Sequence, residues 1–166
     1  MAVTTVEGVP LVIGHEWAVQ LLDRSLASGR LSQAYLFAGS PRIGKTTLAL
    51  YLARAINCLD ESQEARPCGT CSACHRIGQG RHPDVRVIDD EGSRIKIEQI
   101  RELQREIALS PFQARRRVYI LCNFQRATIE AANCLLKTLE EPPPSTVLVL
   151  TATQAEMLLP TTASRC

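Results

Sequence analysis

Gly39-Ser40-Pro41-Arg42-Ile43-Gly44-Lys45-Thr46-Thr47 has the form G-x-x-x-x-G-K-T. Ahead of it stands Ala34-Tyr35-Leu36-Phe37-Ala38, a short apolar and aromatic run that reads as a buried strand. Behind it, Thr46 to Asn57 carries Leu48, Leu50, Leu52, Ala53 and Ile56 with no breaker, and reads as a helix. Strand, glycine loop, helix is the context a phosphate-binding loop requires. Gly39 and Gly44 allow backbone angles closed to other residues, so successive N–H groups can turn inward around phosphate oxygens. The helix N-terminus adds partial positive charge. On this reading Lys45 reaches the outer phosphates of a nucleotide and Thr46 ligates Mg²⁺. The plain alternative is a glycine turn that binds nothing, and the full motif in its full context speaks against it.

The rest of the composition sets bounds. A chain of 166 residues suits one domain, with room for a small insertion. It is 45% hydrophobic but only 4% aromatic, enough for an aliphatic globular core. A net charge of +2 announces neither a nucleic-acid nor a membrane surface. Met1 to Pro10 lacks a basic start and a long apolar core, so it does not read as a signal peptide. No apolar run approaches membrane-spanning length, and a cytoplasmic setting with no membrane partner is expected. Seven cysteines, an odd number, favour thiols and metal ligation in a reducing compartment over a disulfide framework.

Val9 to His15 reads as a loop into a helix from about Glu16 to Ser28, with Trp17, Leu21, Leu22 and Leu26 on its apolar face and Gly29 as its stop. Val12 and Ile13 read equally as the wall of an adenine pocket and as core. Asp84 to Asp89 alternates as a second strand, and a helix follows over Glu98 to Leu109. Arg115-Arg116-Arg117 reads as a solvated turn ahead of a nucleic-acid contact. Val118 to Leu121 is a third strand running into Cys122-Asn123. Thr128 can cap a helix through Leu139, with Ile129, Ala132, Leu135, Leu136 and Leu139 inward, which Pro142-Pro143-Pro144 ends. Thr146 to Thr151 is a fourth strand, followed by a helical piece around Gln154 to Leu159. Strands alternating with helices imply an α/β fold with a mainly parallel sheet.

Cys58 and Cys68-Gly69-Thr70-Cys71-Ser72-Ala73-Cys74 supply four thiols, three of them at x₂ spacing. Each C-x-x-C turn aims two sulfurs at one point, so the four can close a tetrahedral structural zinc site. That site would pin an insertion over about 58–80 that has too little apolar content to pack alone. Cys71 to His75 also matches a c-type haem attachment motif, but that chemistry belongs to exported chains. The spacing lacks the ferredoxin pattern of an iron–sulfur cluster.

Asn133-Cys134-Leu135-Leu136-Lys137-Thr138-Leu139-Glu140-Glu141-Pro142 closely resembles the N-A-L-L-K-T-L-E-E-P signature of bacterial DNA polymerase III clamp-loader ATPases. These are AAA+ subunits that open a ring-shaped sliding clamp and place it on primed DNA. Ile13-Gly14-His15, Ala34 to Phe37, the phosphate loop, the four cysteines and the closing Ser164-Arg165-Cys166 extend the resemblance over nearly the whole chain. It implies a P-loop AAA+ type parallel sheet with flanking helices and a zinc-binding insertion. It also implies ATP with Mg²⁺ as ligand, and the other clamp-loader subunits (gamma/tau and delta), the clamp and primed DNA as partners. Arg165 maps to the family's arginine finger, offered to a neighbour's ATP. Thr151 and Thr153 stand where the family places a polar sensor of the γ-phosphate, and which of them serves stays open.

Family motors of the gamma/tau type keep an acidic pair at the end of the third strand to hold Mg²⁺ and polarise water, where this chain has Cys122-Asn123. With the spacing of Pro160 before Cys166, this looks like the delta-prime type: ATP bound, poorly hydrolysed, and an arginine finger supplied. The intact phosphate loop departs from many delta-prime chains and keeps ATP binding in view. The alternatives are a working motor with an unusual strand ending, or an unrelated phosphate-loop kinase or redox-regulated switch. The family fold also has a fifth strand, a helical lid and a collar after S-R-C, so a fragment of a longer protein is expected.

Overall fold

A computed structural model of the chain describes residues 5–6, 9–10, 12–62, 66–89, 92 and 94–166. Strands β1 (Thr5–Val6) and β2 (Val9–Pro10) form a small antiparallel ladder where the sequence reads as loop from Val9 onward. Then follow α1 (Glu16–Ala27), β3 (Ala34–Ala38), α2 (Lys45–Asn57), α3 (Ser72–Gly78), β4 (Val85–Ile88) and α4 (Ile97–Ile107). The chain continues through β5 (Arg117–Leu121), α5 (Ile129–Glu140), β6 (Thr146–Ala152) and α6 (Pro160–Ala163). Part of the expected N-terminal and insertion segments lies outside the described residues. No helix among the described residues is long and apolar enough to cross a membrane.

The sheet is parallel in the order β3-β6-β5-β4. Parallel neighbours need long crossovers, and the helices supply them on both faces. Central β6 is buried at all seven residues, so its sequence reads as a continuous apolar run rather than an alternation. The period of two then divides the core. Val147, Val149, Val118 and Ile120 pack with Leu22 of α1 and Leu48 and Leu52 of α2. Leu148, Leu150, Tyr119 and Leu121 pack with Ile100 and Leu103 of α4 and Leu135 and Leu139 of α5. Each such aliphatic side chain contributes about 1.5–3 kcal/mol by leaving water.

Local signals set the boundaries. Gly29 turns at φ +68 and lets the Arg30 N–H reach Ser25 O at 3.0 Å, closing α1. Thr128 Oγ1 accepts the Ala131 N–H at 3.2 Å and caps α5. Pro160 opens α6, because proline suits the first helical position, so the helical piece expected over Gln154 to Leu159 splits. A single 3₁₀ turn covers Ala155–Met157, and a helix starts after it.

Several expectations are corrected. On α1 it is Ala18 and Leu22 that face the core, while Trp17 is 69% and Leu21 57% exposed. The periodicity was real, but the phase of the buried face is set by the seat against α2. Ile129, the first residue of α5, is exposed and not inward. Arg117 is neither a solvated turn nor a nucleic-acid contact, because it begins β5 and pairs with buried Asp84 at 3.3 Å. The cysteine-rich insertion does pack: α3 places Ile77, 1% exposed, in the core beside Leu52 and Ile56.

Candidate functional site

Leaving β3, the chain is tethered at once, since Gly39 N–H donates to Ala152 O at 3.1 Å. The left-handed residues of the loop are Arg42 at φ +64 and Gly44 at φ +103, not Gly39 as the sequence suggested. At Gly39 a Cβ would stand 3.4 Å from Ile43 Cγ2, an ordinary van der Waals contact. Gly44 is the N-cap of α2 and no side chain caps it, so the first amides of a thirteen-residue helix are left to face the loop.

Lys45 curls back over the loop, its Nζ donating to Gly39 O at 2.7 Å and Ser40 O at 2.8 Å. Burial lowers its pKa. Ser40, Pro41 and Arg42 form the exposed crest, with Ile43 partly covered below. Thr46 and Thr47 are half-buried in the first turn of α2. Thr46 Oγ1 lies 3.6 Å from Cys122 Sγ, and Cys122, at the tip of β5, is 4% exposed. Beside it Asn123 sits in the left-handed region at φ +52.

The two threonines after β6 are both engaged by the segment that leaves β5. Thr151 Oγ1 accepts the Asn123 N–H at 3.0 Å, and Thr153 Oγ1 accepts from Gln125 Nε2 at 3.0 Å. They latch the tip of β6 to the tip of β5. Thr151, 1% exposed, is the one bonded to the residue next to Cys122.

A cleft of about 400 Å³ lies beside the loop, lined by His15, Trp17, Tyr35, Phe37, Ile43 and Lys45 among others. Val12 packs against the α1–α2 core and Ile13 is 64% exposed; neither lines this cleft. Ile43 and Lys45 were expected at a nucleotide site, while His15, Tyr35 and Phe37 were given no site role by the sequence. His15 Nε2 bonds Ile43 O at 3.0 Å and joins the start of α1 to the loop. Tyr35 and Phe37 project from the same face of β3, with ring centroids 6.2 Å apart. Their i, i+2 spacing was the available signal.

The four cysteines converge: the Sγ atoms of Cys58, Cys68, Cys71 and Cys74 all lie within 4.8 Å of one another. Cys58 ends α2, and Cys71 starts α3 as its N-cap. Backbone N–H groups point at the sulfurs, Cys68 to Cys58 at 3.4 Å, Cys71 to Cys68 at 3.3 Å and Cys74 to Cys71 at 3.4 Å. Such donors favour thiolate, the form a metal takes. Burial would raise the Cys68 thiol, but the Cys71 N–H and the hydroxyl and N–H of Thr70 outweigh it and bring it down to about 6. Burial pushes the Cys58 and Cys74 thiols up. Four convergent thiols with amide donors fit a structural zinc ion and leave no position for a substrate.

Arg165 stands apart from the loop. Its Nη2 pairs with Glu140 Oε1 at 2.7 Å and its Nη1 donates to Thr161 O at 3.0 Å. The neighbouring Cys166 lines the cleft beside the loop.

A family described as "DNA polymerase III, delta subunit" matches residues 14–166. The DNA polymerase III subunit delta' of Bacillus subtilis is 41% identical over 148 residues, 89% of this chain and 44% of that one. The DNA polymerase III subunit tau of Escherichia coli is 39% identical over 155 residues, 93% of this chain and 24% of that one. A crystal structure of a DNA polymerase III gamma subunit-related protein from Thermotoga maritima superposes with a TM-score of 0.67 at 28% identity, covering 89% of this chain and 43% of that one. The chain thus spans less than half the length of the relatives it matches.

Proposed function

Because the chain belongs to the DNA polymerase III delta-subunit family, we propose that it is the ATPase-like part of a delta-prime type clamp-loader subunit. It binds ATP with Mg²⁺ at loop 39–47, hydrolyses it poorly, and offers Arg165 to the ATP of a neighbouring subunit. The observation that carries this reading is the Thr46–Cys122 contact of 3.6 Å. The Thr46 hydroxyl, the side chain that would ligate Mg²⁺, meets a thiol where a hydrolytic site needs a carboxylate. Bound Mg²⁺ would neutralise phosphate charge; here Lys45, the α2 amides and Thr46 can hold it and its nucleotide. Neither Cys122 nor Asn123 can serve as a carboxylate base.

The same reading makes residues 1–166 one ATPase-like domain with a zinc-stabilised insertion over 58–80. Its partners are the gamma/tau and delta subunits in a hetero-oligomeric ring and, through that ring, the sliding clamp and primed DNA in the cytoplasm. The test is single-turnover hydrolysis with bound nucleotide counted in the same sample. Bound ATP that stays intact supports the stator reading. Cleavage within seconds, in a preparation free of other subunits, would make this a motor of the gamma/tau type, a reading that the intact loop and curled Lys45 keep alive. Cys122→Asp with Asn123→Glu sharpens the distinction, since restored acid raises turnover on the order of 10²-fold or more only in a chain that lacked a base.

A further inference from the structure

A cleft of about 830 Å³ lies at the opposite end of α2 from the phosphate loop. Thirteen helical residues put the two about 20 Å apart. Four arginines from three separate segments line it: Arg24 of α1, Arg66 of the insertion, and Arg115 and Arg116 ahead of β5. We propose that this cleft is a second anion site, built for phosphate groups and independent of the loop at 39–47.

The cations are held in place rather than scattered. Asn57, 2% exposed at the end of α2, clamps the backbone of Arg116 from both sides. Its Oδ1 accepts the Arg116 N–H at 3.1 Å, and its Nδ2 donates to Arg116 O at 3.0 Å. Arg66 sets its guanidinium plane by donating from Nε and Nη2 to Asp60 O at 2.9 and 2.6 Å, leaving Nη1 outside that bond. Arg24 and Arg115 make no ion pair or side-chain hydrogen bond with any described residue.

Among the described residues the acidic side chain lining the cleft is Asp23, and its carboxylate already accepts the Tyr51 hydroxyl at 2.8 Å. Four cations gathered with so little internal compensation favour an anion from outside. Guanidinium forks match phosphate oxygens two at a time, which makes phosphate the natural ligand. Leu31 and Ile56 give the cleft an apolar wall, suited to the sugar or base that accompanies phosphate. Free polyphosphates and nucleotides carry this chemistry, and so does a single-stranded nucleic-acid backbone.

The test uses the chain with Lys45→Ala, which silences the loop so that a failure of the ATP reading cannot imitate a failure here. Inorganic tripolyphosphate is titrated calorimetrically, and a fluorescent thymidine oligonucleotide by anisotropy, each at several salt concentrations. Saturable binding of either probe is expected, weakened at least about tenfold by Arg24→Ala with Arg115→Ala. For the oligonucleotide, the salt slope should fall by about 1.4. Arg115→Glu, a single exposed change, should weaken binding as well and serves if the double variant melts early. Tighter binding of the oligonucleotide identifies the backbone as the source, and tighter binding of tripolyphosphate identifies a free anion. Failure of both probes to bind, or equal binding by the arginine variants, overturns the proposal.

Discussion

Arg165 and Glu140 join the two terminal motifs of the chain, Nη2 of the one lying 2.7 Å from Oε1 of the other. Glu140 ends α5 and Arg165 follows α6, so the cation proposed for a neighbour's ATP is held within this chain. The pair is a third to a half exposed, and exposed pairs are worth only about 0.2–1 kcal/mol. Exchange of partners is therefore cheap. In the assembled ring, Arg165→Ala should lower hydrolysis by the adjacent subunit about 10³-fold while moving this chain's own stability by no more than about 1 kcal/mol. Glu140→Gln should raise that hydrolysis by about two- to fivefold at limiting subunit concentration, the factor equivalent to the lost pair. Steady-state assays on rings rebuilt with each variant check both.

Lys45→Ala should weaken ATP binding by about 10–150-fold, the equivalent of one charge-assisted hydrogen bond network of 1.5–3 kcal/mol. Of its two carbonyl partners Ser40 O is exposed and Gly39 O only half-buried, so the melting temperature should hardly change. Calorimetric titration beside a thermal melt separates the two effects.

Asp84 supports the turn before β5 by accepting the N–H groups of Phe112, Gln113 and Ala114 at 2.8, 2.7 and 2.9 Å, with Arg117 beside it. Burial alone would raise its pKa, but these donors and the Arg117 cation bring it below the ordinary carboxylate value. A depressed folded pKa contributes stability above the unfolded value near 3.9, and that stability is lost as pH falls through the folded pKa. Asp84→Asn should cost about 3–5 kcal/mol near neutrality, since it leaves Arg117 without its buried counter-charge. It should also flatten the acid limb of stability against pH. Urea unfolding from pH 2 to 7 measures both.

Gly78 ends α3 directly against Arg54 of α2, and a Cβ there would stand 2.1 Å from Arg54 Nη2. Arg54 is itself 5% exposed and has little room to withdraw. Gly78→Ala should destabilise by about 1–3 kcal/mol through overpacking, read in a thermal melt.

If the four cysteines hold the zinc proposed for them, its removal should be more severe. A chelator, or Cys58→Ser, should release one equivalent of metal per chain and cost at least about 3 kcal/mol, well below the 10–16 kcal/mol of zinc-dependent fingers, because Ile77 keeps α3 partly seated. Metal analysis with parallel melts decides it. A chain that binds no zinc, or one whose stability ignores the chelator, would remove the metal from the account.

Much of this was legible beforehand because it is local. The Ala34–Ala38 strand, the Thr128 cap and the Gly29 stop follow from short patterns with one physical meaning each. The convergence of Cys68, Cys71 and Cys74 was readable from x₂ spacing, with Cys58 at the end of α2 as the fourth thiol. What stayed hidden depends on neighbours distant in sequence. Periodicity showed that α1 has an apolar stripe but not that Trp17 and Leu21 would border the cleft beside the loop. Three successive arginines looked alike until Asp84 took Arg117 into the fold and left Arg115 outside. Helix α3 is seven residues long and ends in a glycine, and Ile77 is too lone a residue to announce a helix.

The pairing of β3 with β6 has a consequence for the order of events during synthesis. Ala38 lies beside Ala152, and the first amide of the loop hangs from the carbonyl of that same residue, more than a hundred positions downstream. At ribosomal speeds that interval lasts on the order of ten seconds. Until β6 emerges, β3 has no partner strand among the described residues and the loop has no anchor. Loop 39–47 is thus translated early and completed late, and any nascent-chain capture of the proposed ATP should begin only after residue 152 has cleared the exit tunnel.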